Sequence, residues 1–314
     1  MKKLLNLILL VLITSANYGV TKETKALGPV MDFEASLYSI ELPEGWYLGE
    51  AASLEFNSKG HLFVFNRGKH PLLEFDNRGK FVREIGQGLF ITPHGLRIDK
   101  DDNIWTTDQS THQVIKFTPD GKFDLVIGRR EAPGTGWFER GYNLTLLKEP
   151  SDVAFDSDGN IYVADAGNFR VAKFNSFGEP ISSWGSKGEQ VGEFNFPHSL
   201  VVGKNNRLFV TDRENGRVQV FDLDGQFIEQ WKNIGNPYIL TISDDDLIWL
   251  TDARAGRVLK LSQKGDLLGQ FGSRGKQVGK FGFGHGIAVA DEGVIYISEI
   301  LNLRIQTLTP TKVD

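Results

Sequence analysis

Six short segments of one design recur along this chain, and they restrict its possible folds more than any other feature. Each consists of an aromatic residue, two further residues, and an acidic or amide residue. The segments are residues 63–66, 105–108, 162–165, 209–212, 249–252 and 296–299. By subtraction, their final positions are 42, 57, 47, 40 and 47 residues apart. A repeat of about 40–50 residues is the length of one propeller blade.

Each repeat contains short apolar stretches separated by turn residues. In the second repeat the turns are Asp101-Asp102-Asn103 and Asp120-Gly121, on either side of the aromatic segment. Alternating apolar and polar residues between such turns predict four short antiparallel strands per repeat. A chain with 35 glycines among 314 residues suits a turn-rich all-β fold. Beyond the N-terminus, the sequence contains no convincing amphipathic helix.

Six such sheets bury both of their faces only if they pack radially and the ring closes. The last repeat ends after Ile305-Gln306-Thr307, whereas an additional strand-like stretch at residues 36–40 precedes the first repeat. We therefore predict a six-bladed β-propeller over residues 33–314, in which this N-terminal strand completes the sixth blade.

The first 20 residues have the layout of a secretory signal peptide. Lys2 and Lys3 precede an apolar run at residues 4–13, which is short for a membrane span, and small residues follow it. An uncleaved anchor is the alternative, because no sharp Ala-x-Ala site follows. The chain has no cysteine, so neither a lipid-modified cysteine nor a disulfide is available. We expect export to a periplasm or the exterior, with no membrane attachment after cleavage.

The charge balance argues against one large class of partner. The formal net charge is −5, which gives no broad basic surface for nucleic acid. A ligand with a carboxylate could still bind at a local arginine. We expect a monomer that acts on a small molecule or peptide with a terminal carboxylate.

Three histidines occupy the same place in alternate repeats. His94, His198 and His285 begin the innermost strand of the second, fourth and sixth repeats. The odd repeats have other residues there: Ala52, Ser151 and Tyr238. In a closed ring, alternate blades bring three side chains to one point on the axis. Three imidazoles with an open fourth position describe a catalytic-type zinc site, although copper, iron and nickel also accept this ligand type. The other interpretation is that they are structural residues of the tunnel.

The sequence around these histidines resembles a known family. The stretches that carry the resemblance are Pro93-His94-Gly95-Leu96, Pro197-His198-Ser199-Leu200 and residues 211–219. They are similar to the peptidyl-α-hydroxyglycine α-amidating lyases, a branch of the NHL-repeat six-bladed propellers. The resemblance implies that the three histidines hold zinc and that a peptide ending in α-hydroxyglycine is split into an amide and glyoxylate. It also matches Arg67 and Arg213 to the family's active-site arginines.

The chain departs from that family at two positions. Where the family has a catalytic tyrosine after the third repeat's aspartate, residues 165–170 contain none, and Tyr238 is the candidate substitute base. Gly286 stands where the family has an aspartate that binds a structural calcium, so we do not expect calcium.

Two rival functions remain open at this point. One is a non-catalytic propeller that binds a protein, peptide or glycan, in which Tyr238 fills the tunnel while Arg67 and Arg213 only join neighbouring turns. The other is a hydrolase of the lactonase kind, a class that uses carboxylates and amides around calcium.

Overall fold

The computed structural model describes residues 28–134 and 145–311. These residues form six four-stranded antiparallel sheets. The predicted all-β, six-bladed architecture is confirmed. Residues 1–20, the predicted signal peptide, lie outside the described residues, as does the stretch 135–144 between the second and third blades.

Each blade follows the chain from its innermost strand outwards, except for the last. Blade 1 contains β2 (Ala51–Phe56), β3 (Leu62–Asn66), β4 (Leu72–Phe75) and β5 (Phe81–Ile85), and blade 2 contains β6 (Pro93–Ile98), β7 (Ile104–Asp108), β8 (Gln113–Phe117) and β9 (Phe123–Gly128). Blade 3 contains β10 (Pro150–Phe155), β11 (Ile161–Asp165), β12 (Arg170–Phe174) and β13 (Pro180–Trp184), and blade 4 contains β14 (Pro197–Gly203), β15 (Arg207–Asp212), β16 (Arg217–Asp222) and β17 (Phe227–Trp231). Blade 5 contains β18 (Pro237–Ile242), β19 (Ile248–Asp252), β20 (Arg257–Leu261) and β21 (Leu267–Phe271), and blade 6 contains β22 (Gly284–Val289), β23 (Ile295–Glu299), β24 (Arg304–Pro310) and β1 (Phe33–Leu37).

The ring closes through β1, which pairs antiparallel with β24 at the outer edge of blade 6. The closing strand was predicted from the sequence, but its bounds were predicted three residues too late. The Ser36 hydroxyl lies 2.6 Å from that of Thr307 within the pair. Tyr38 and Ile40 instead leave the strand to pack against the cluster between blades 1 and 6, which explains why the apolar run extends beyond the strand.

Among the described residues, the hydrophobic core is divided into six clusters, one between each pair of neighbouring blades. Between blades 4 and 5, for example, Phe209, Val218 and Val220 pack against Leu240 and Leu250. The other five clusters fill the remaining spaces in the same way. Because each sheet is covered on both faces by its neighbours, the innermost strands are buried around the central axis.

Helix is confined to three short 3-10 turns in the part of the chain that the structure describes: Ala166–Asn168, Arg213–Asn215 and Asp291–Gly293. Across the same residues, no helix has the length and apolar character needed to span a membrane.

In blades 2 and 4, the acidic residue that ends the repeated segment fixes the loop leading into the same blade's innermost strand. Asp108 accepts hydrogen bonds from the backbone N–H groups of Ile91 and Thr92, both at 2.8 Å. Asp212 accepts one from Asn195 at 2.8 Å. These loops come immediately before His94 and His198, so the repeated acids also define where the histidine-bearing strands begin.

Candidate metal centre

The three histidines predicted from alternate repeats meet on the axis of the ring. His94, His198 and His285 are the second residues of β6, β14 and β22. Their ring centroids are 4.7, 4.9 and 5.1 Å apart, which makes the cluster nearly equilateral. The side chains are 2%, 0% and 2% exposed, so the cluster is closed to bulk solvent.

Each imidazole is oriented by a backbone carbonyl of the following blade. The Nδ1 atom of His94 lies 2.7 Å from the carbonyl oxygen of Ser151, that of His285 lies 2.7 Å from that of Ala52, and that of His198 lies 3.2 Å from that of Tyr238. A carbonyl only accepts hydrogen bonds, so Nδ1 carries the proton in all three rings. The lone pair is therefore on Nε2, the atom left for a ligand.

Two threonine hydroxyls hold the accepting carbonyls in place. Thr107 Oγ1 donates to the Ser151 carbonyl at 3.0 Å, and Thr211 Oγ1 donates to the Tyr238 carbonyl at 2.9 Å. Such outer contacts fix the tautomer and orientation of ligating histidines in metalloproteins. The sequence does not reveal this support, because the partners are far apart along the chain.

A glycine or serine after each histidine makes room for this arrangement. A Cβ atom on Gly95 would lie 2.6 Å from the Ser151 carbonyl oxygen, and one on Gly286 would lie 2.4 Å from Ser298 Oγ. Both contacts are shorter than a side chain tolerates. Position 286 consequently offers no carboxylate to the tunnel.

The surroundings keep the three rings neutral. Burial is the largest cause and lowers the pKa of His94 and His198 well below the usual value, with the neighbouring histidines adding to the effect. For His285, burial lowers the pKa to about 3, against the opposing hydrogen bond to Ala52. The positive charges of Arg67 and Arg213 lower it further. Neutral imidazole is the form that binds a metal ion.

The residues present fit a metal ion. One ring nitrogen from each histidine lies within 4.8 Å of the others, so this buried trio could hold a single ion. Among the described residues, Nε2 of His198 is buried without a hydrogen-bond partner. A buried polar atom left unpaired is costly, and a bound ion would satisfy this nitrogen.

Both predicted arginines lie beside the histidine cluster. Arg67 Nε donates to the carbonyl of Pro93, the residue before His94, at 3.1 Å, and Arg67 Nη1 reaches Glu50 at 3.2 Å. The guanidinium carbon of Arg213 lies 4.1 Å from the ring centroid of Phe196 and 5.2 Å from that of Tyr238. The structure therefore brings both arginines to the same end of the tunnel as the histidines.

Tyr238 also lies at the cluster. Its ring centroid is 5.0 Å from that of His198 and 5.8 Å from that of His285. Arg254 Nε donates to its hydroxyl oxygen at 3.2 Å. The turn after Asp165, where the resembling family has its tyrosine, is a 3-10 turn without a phenol.

Three further residues lie beside Tyr238 and Arg213 and were not predicted from the sequence: Arg254, Phe196 and Phe283. Phe196 and Phe283 have positive φ angles of 94° and 68°, which non-glycine residues seldom adopt. The Phe283 ring lies 5.1 Å from that of Tyr238, and the Phe196 ring lies 5.9 Å from that of His198. A phenylalanine two positions before a histidine in two repeats was the available signal, whereas nothing local marks Arg254.

Comparison with known proteins agrees with the repeat architecture. The NHL repeat matches residues 90–117, 147–174 and 194–221, in blades 2, 3 and 4. The virginiamycin B lyase of Staphylococcus aureus has a similar structure, with a TM-score of 0.62 at 14% identity over 88% of this chain and 99% of that one. At this identity the likeness concerns the fold alone. The chain therefore contains NHL repeats within a six-bladed β-propeller.

Within that class, the chain resembles the amidating enzymes. It is 32% identical over 180 residues to peptidyl-glycine alpha-amidating monooxygenase of Mus musculus, covering 48% of this chain and 18% of the mouse protein. It is 32% identical over 167 residues to peptidyl-alpha-hydroxyglycine alpha-amidating lyase 1 of Drosophila melanogaster, covering 44% and 29%. The matched stretch is thus less than a third of either relative. The chain is thus similar in sequence to the amidating enzymes, and the predicted resemblance is confirmed.

Proposed function

We propose that this protein is a zinc-dependent lyase that cleaves the C–N bond of an α-hydroxyglycine-type compound, releasing an amide and glyoxylate. The observation that carries the proposal is the histidine trio, in which each Nδ1 binds a backbone carbonyl and Nε2 is the atom left for a ligand, beside Arg67 and Arg213. Similarity to amidating lyases supports the same reaction. Zinc is the preferred ion because three neutral imidazoles with an open fourth position are a common catalytic zinc site.

The substrate in this proposal has a terminal carboxylate next to the carbon that is cleaved. Arg67 and Arg213 would bind that carboxylate, since a guanidinium can donate two parallel hydrogen bonds to it. Their side chains are 27% and 21% exposed, so a substrate can reach both from the solvent. The aromatic faces of Phe196 and Tyr238 would keep water from one side of Arg213.

Zinc held by the three histidines would lower the pKa of the substrate hydroxyl. Tyr238, as its phenolate, would accept the hydroxyl proton and become the phenol that later returns it. Its oxygen accepts a hydrogen bond from Arg254, and its ring packs against two of the histidines. As the hydroxyl becomes the aldehyde oxygen, the C–N bond breaks and its electron pair moves to nitrogen. The proton then passes to that nitrogen, which completes the amide, and the products balance the substrate.

We further propose that the protein is exported and acts as a monomer on a small molecule or a peptide. The basic and apolar start of the chain supports export, and the net charge of −5 disfavours nucleic acid as a partner.

The function is tested by combining metal analysis with product analysis. Purified protein should contain about one zinc per chain and should release glyoxylate from an N-acyl-α-hydroxyglycine, and a chelator should abolish the release. His94→Ala, His198→Ala and His285→Ala should each lose both zinc and activity. Tyr238→Phe should keep zinc but lose activity by about 100-fold or more, the usual range for a general base.

The control for the base is Tyr47→Phe, which removes a phenol hydroxyl from an exposed residue and should change neither property. Protein that contains zinc but releases no glyoxylate would exclude the lyase. If His94→Ala lowers stability without removing any turnover, the propeller is a binding module and the histidines are structural.

A further inference from the structure

A second charged cluster occupies the tunnel next to the histidines. Its centre is Arg97, three residues after His94 on β6 and 7% exposed. The guanidinium donates to Asp152 through Nε at 3.0 Å and through Nη2 at 2.5 Å. Nη2 also donates to Ser199 Oγ at 3.1 Å and to the carbonyl of Leu240 at 3.0 Å. One side chain of blade 2 thus contacts the innermost strands of blades 3, 4 and 5.

The partners of Arg97 are also bonded to one another. Ser199 Oγ donates to Asp152 at 2.6 Å, and the same serine oxygen accepts the backbone N–H of Leu240 at 3.2 Å. On the remaining side, a carboxylate oxygen of Glu55 on β2 lies 3.8 Å from Arg97 Nη1. With its own strand included, Arg97 connects five of the six innermost strands.

This network adjoins the groups that orient the histidines. Asp152 directly follows Ser151, whose carbonyl accepts the hydrogen bond from His94. Ser199 directly follows His198, and the carbonyl that accepts from His198 belongs to Tyr238, two residues before Leu240. A shift of β10, β14 or β18 along the axis would therefore move a ligand or its acceptor.

We propose that Arg97 is a positioning residue for the histidine centre. Its planar guanidinium offers five N–H donors in a fixed arrangement. Through them it fixes the positions of β10, β14 and β18 relative to one another along the axis. The acceptor carbonyls of Ser151 and Tyr238 are then held where they select the Nδ1–H tautomer of His94 and His198.

The inference rests on the proposed metal centre, but one of its readouts does not require metal. The test compares Arg97→Met and Arg97→Lys with the parent protein. In chelator-treated protein, nitrogen NMR of the imidazoles should show Nδ1–H in His94 and His198 of the parent. Arg97→Met should show a mixture of tautomers, because the accepting carbonyls are no longer fixed.

The second readout is zinc affinity, measured by competition with a chromogenic chelator. Arg97→Met should bind zinc about 10- to 100-fold more weakly, the range seen when residues that orient metal ligands are removed. Arg97→Lys should give an intermediate loss, because an ammonium group keeps the charge but lacks the planar fork. Cobalt substituted for zinc should show a changed visible spectrum in Arg97→Met.

The matched control is Arg257→Met. Arg257 is also 7% exposed and pairs with a buried aspartate, Asp252, at 2.7 Å, but within blade 5. The Arg257→Met variant should lose thermal stability as Arg97→Met does, but it should keep the parent's histidine tautomers and zinc affinity. If Arg97→Met also keeps them, the arginine only stabilises the fold and the inference is wrong. A parent that binds no zinc but whose tautomers change in Arg97→Met would refute the zinc lyase and support the positioning role.

Discussion

The histidine centre is defined by individual hydrogen bonds and by burial. Three imidazoles that pack this closely and away from solvent cannot readily carry charge, because desolvation and mutual repulsion both oppose protonation. The hydrogen bonds from Nδ1 use the one donor of each neutral ring. The lone pair of each ring then lies on Nε2. Three such nitrogens close together favour a bound metal ion, whereas burial disfavours their protonation.

The neutral histidines make the metal-free protein sensitive to acid. In the unfolded chain a histidine takes up a proton near its ordinary pKa of 6.5, whereas in the folded protein burial lowers the pKa of His285 to about 3. The unfolded state therefore binds more protons between these values, and the free energy of unfolding falls as the pH falls through that window. His285→Gln should reduce this slope by up to about 1.4 kcal/mol per pH unit. Urea unfolding of chelator-treated protein at a series of pH values measures the slope.

Glu55 provides a control of opposite sign. Burial raises the pKa of Glu55 to about 7 despite the opposing charge of Arg97. The folded state then binds the extra proton between 4.5 and 7, so this group's contribution to stability falls as the pH rises. Glu55→Gln should make the acid-induced loss of stability steeper. An unchanged slope in His285→Gln would show that this histidine is not held neutral.

At the scale of elements, the innermost strands position the site and the outermost strands close the ring. The closing strand β1 comes from the opposite end of the chain, and its pairing with β24 joins residues 33–37 to residues 306–310. Phe33 anchors it, with its ring centroid 6.2 Å from that of Trp249 and 5.7 Å from that of Phe271 in blade 5. The closing strand is therefore held both by its own sheet and by the neighbouring blade.

Phe33→Ala should lower the free energy of unfolding by about 2 kcal/mol. That is less than the 3–5 kcal/mol typical of a fully buried phenylalanine, because Phe33 is only partly buried. Phe177→Ala is the matched control, since Phe177 is 80% exposed on a turn of blade 3. It should stay within about 0.5 kcal/mol of the parent. Equal urea-unfolding curves for the two variants would contradict a role for Phe33 in closure.

At the scale of the whole molecule, the repeat made the architecture predictable, and alternate histidines made the axial cluster predictable. The sequence did not reveal how the cluster is oriented. The acceptor of His285 is Ala52, 233 residues away in the chain, and it acts through its backbone, which every residue has. Arg97 and Arg254 were also missed, because a single arginine in one repeat has no periodic signal. The importance of Arg97 follows from the closed ring, which brings four other innermost strands around it.

A metal ion at this centre would connect alternate blades 2, 4 and 6 across the axis. An ion that binds only the folded ring stabilises it by about 2.7 kcal/mol at a free concentration 100-fold above Kd. We therefore expect zinc at that excess to raise the Tm of chelator-treated protein by about 5 °C. His198→Ala should show no such rise, because it lacks one of the three ligands. A parent Tm that does not respond to zinc, or an equal rise in both proteins measured by calorimetry, would mean that the ion does not bind at the axis.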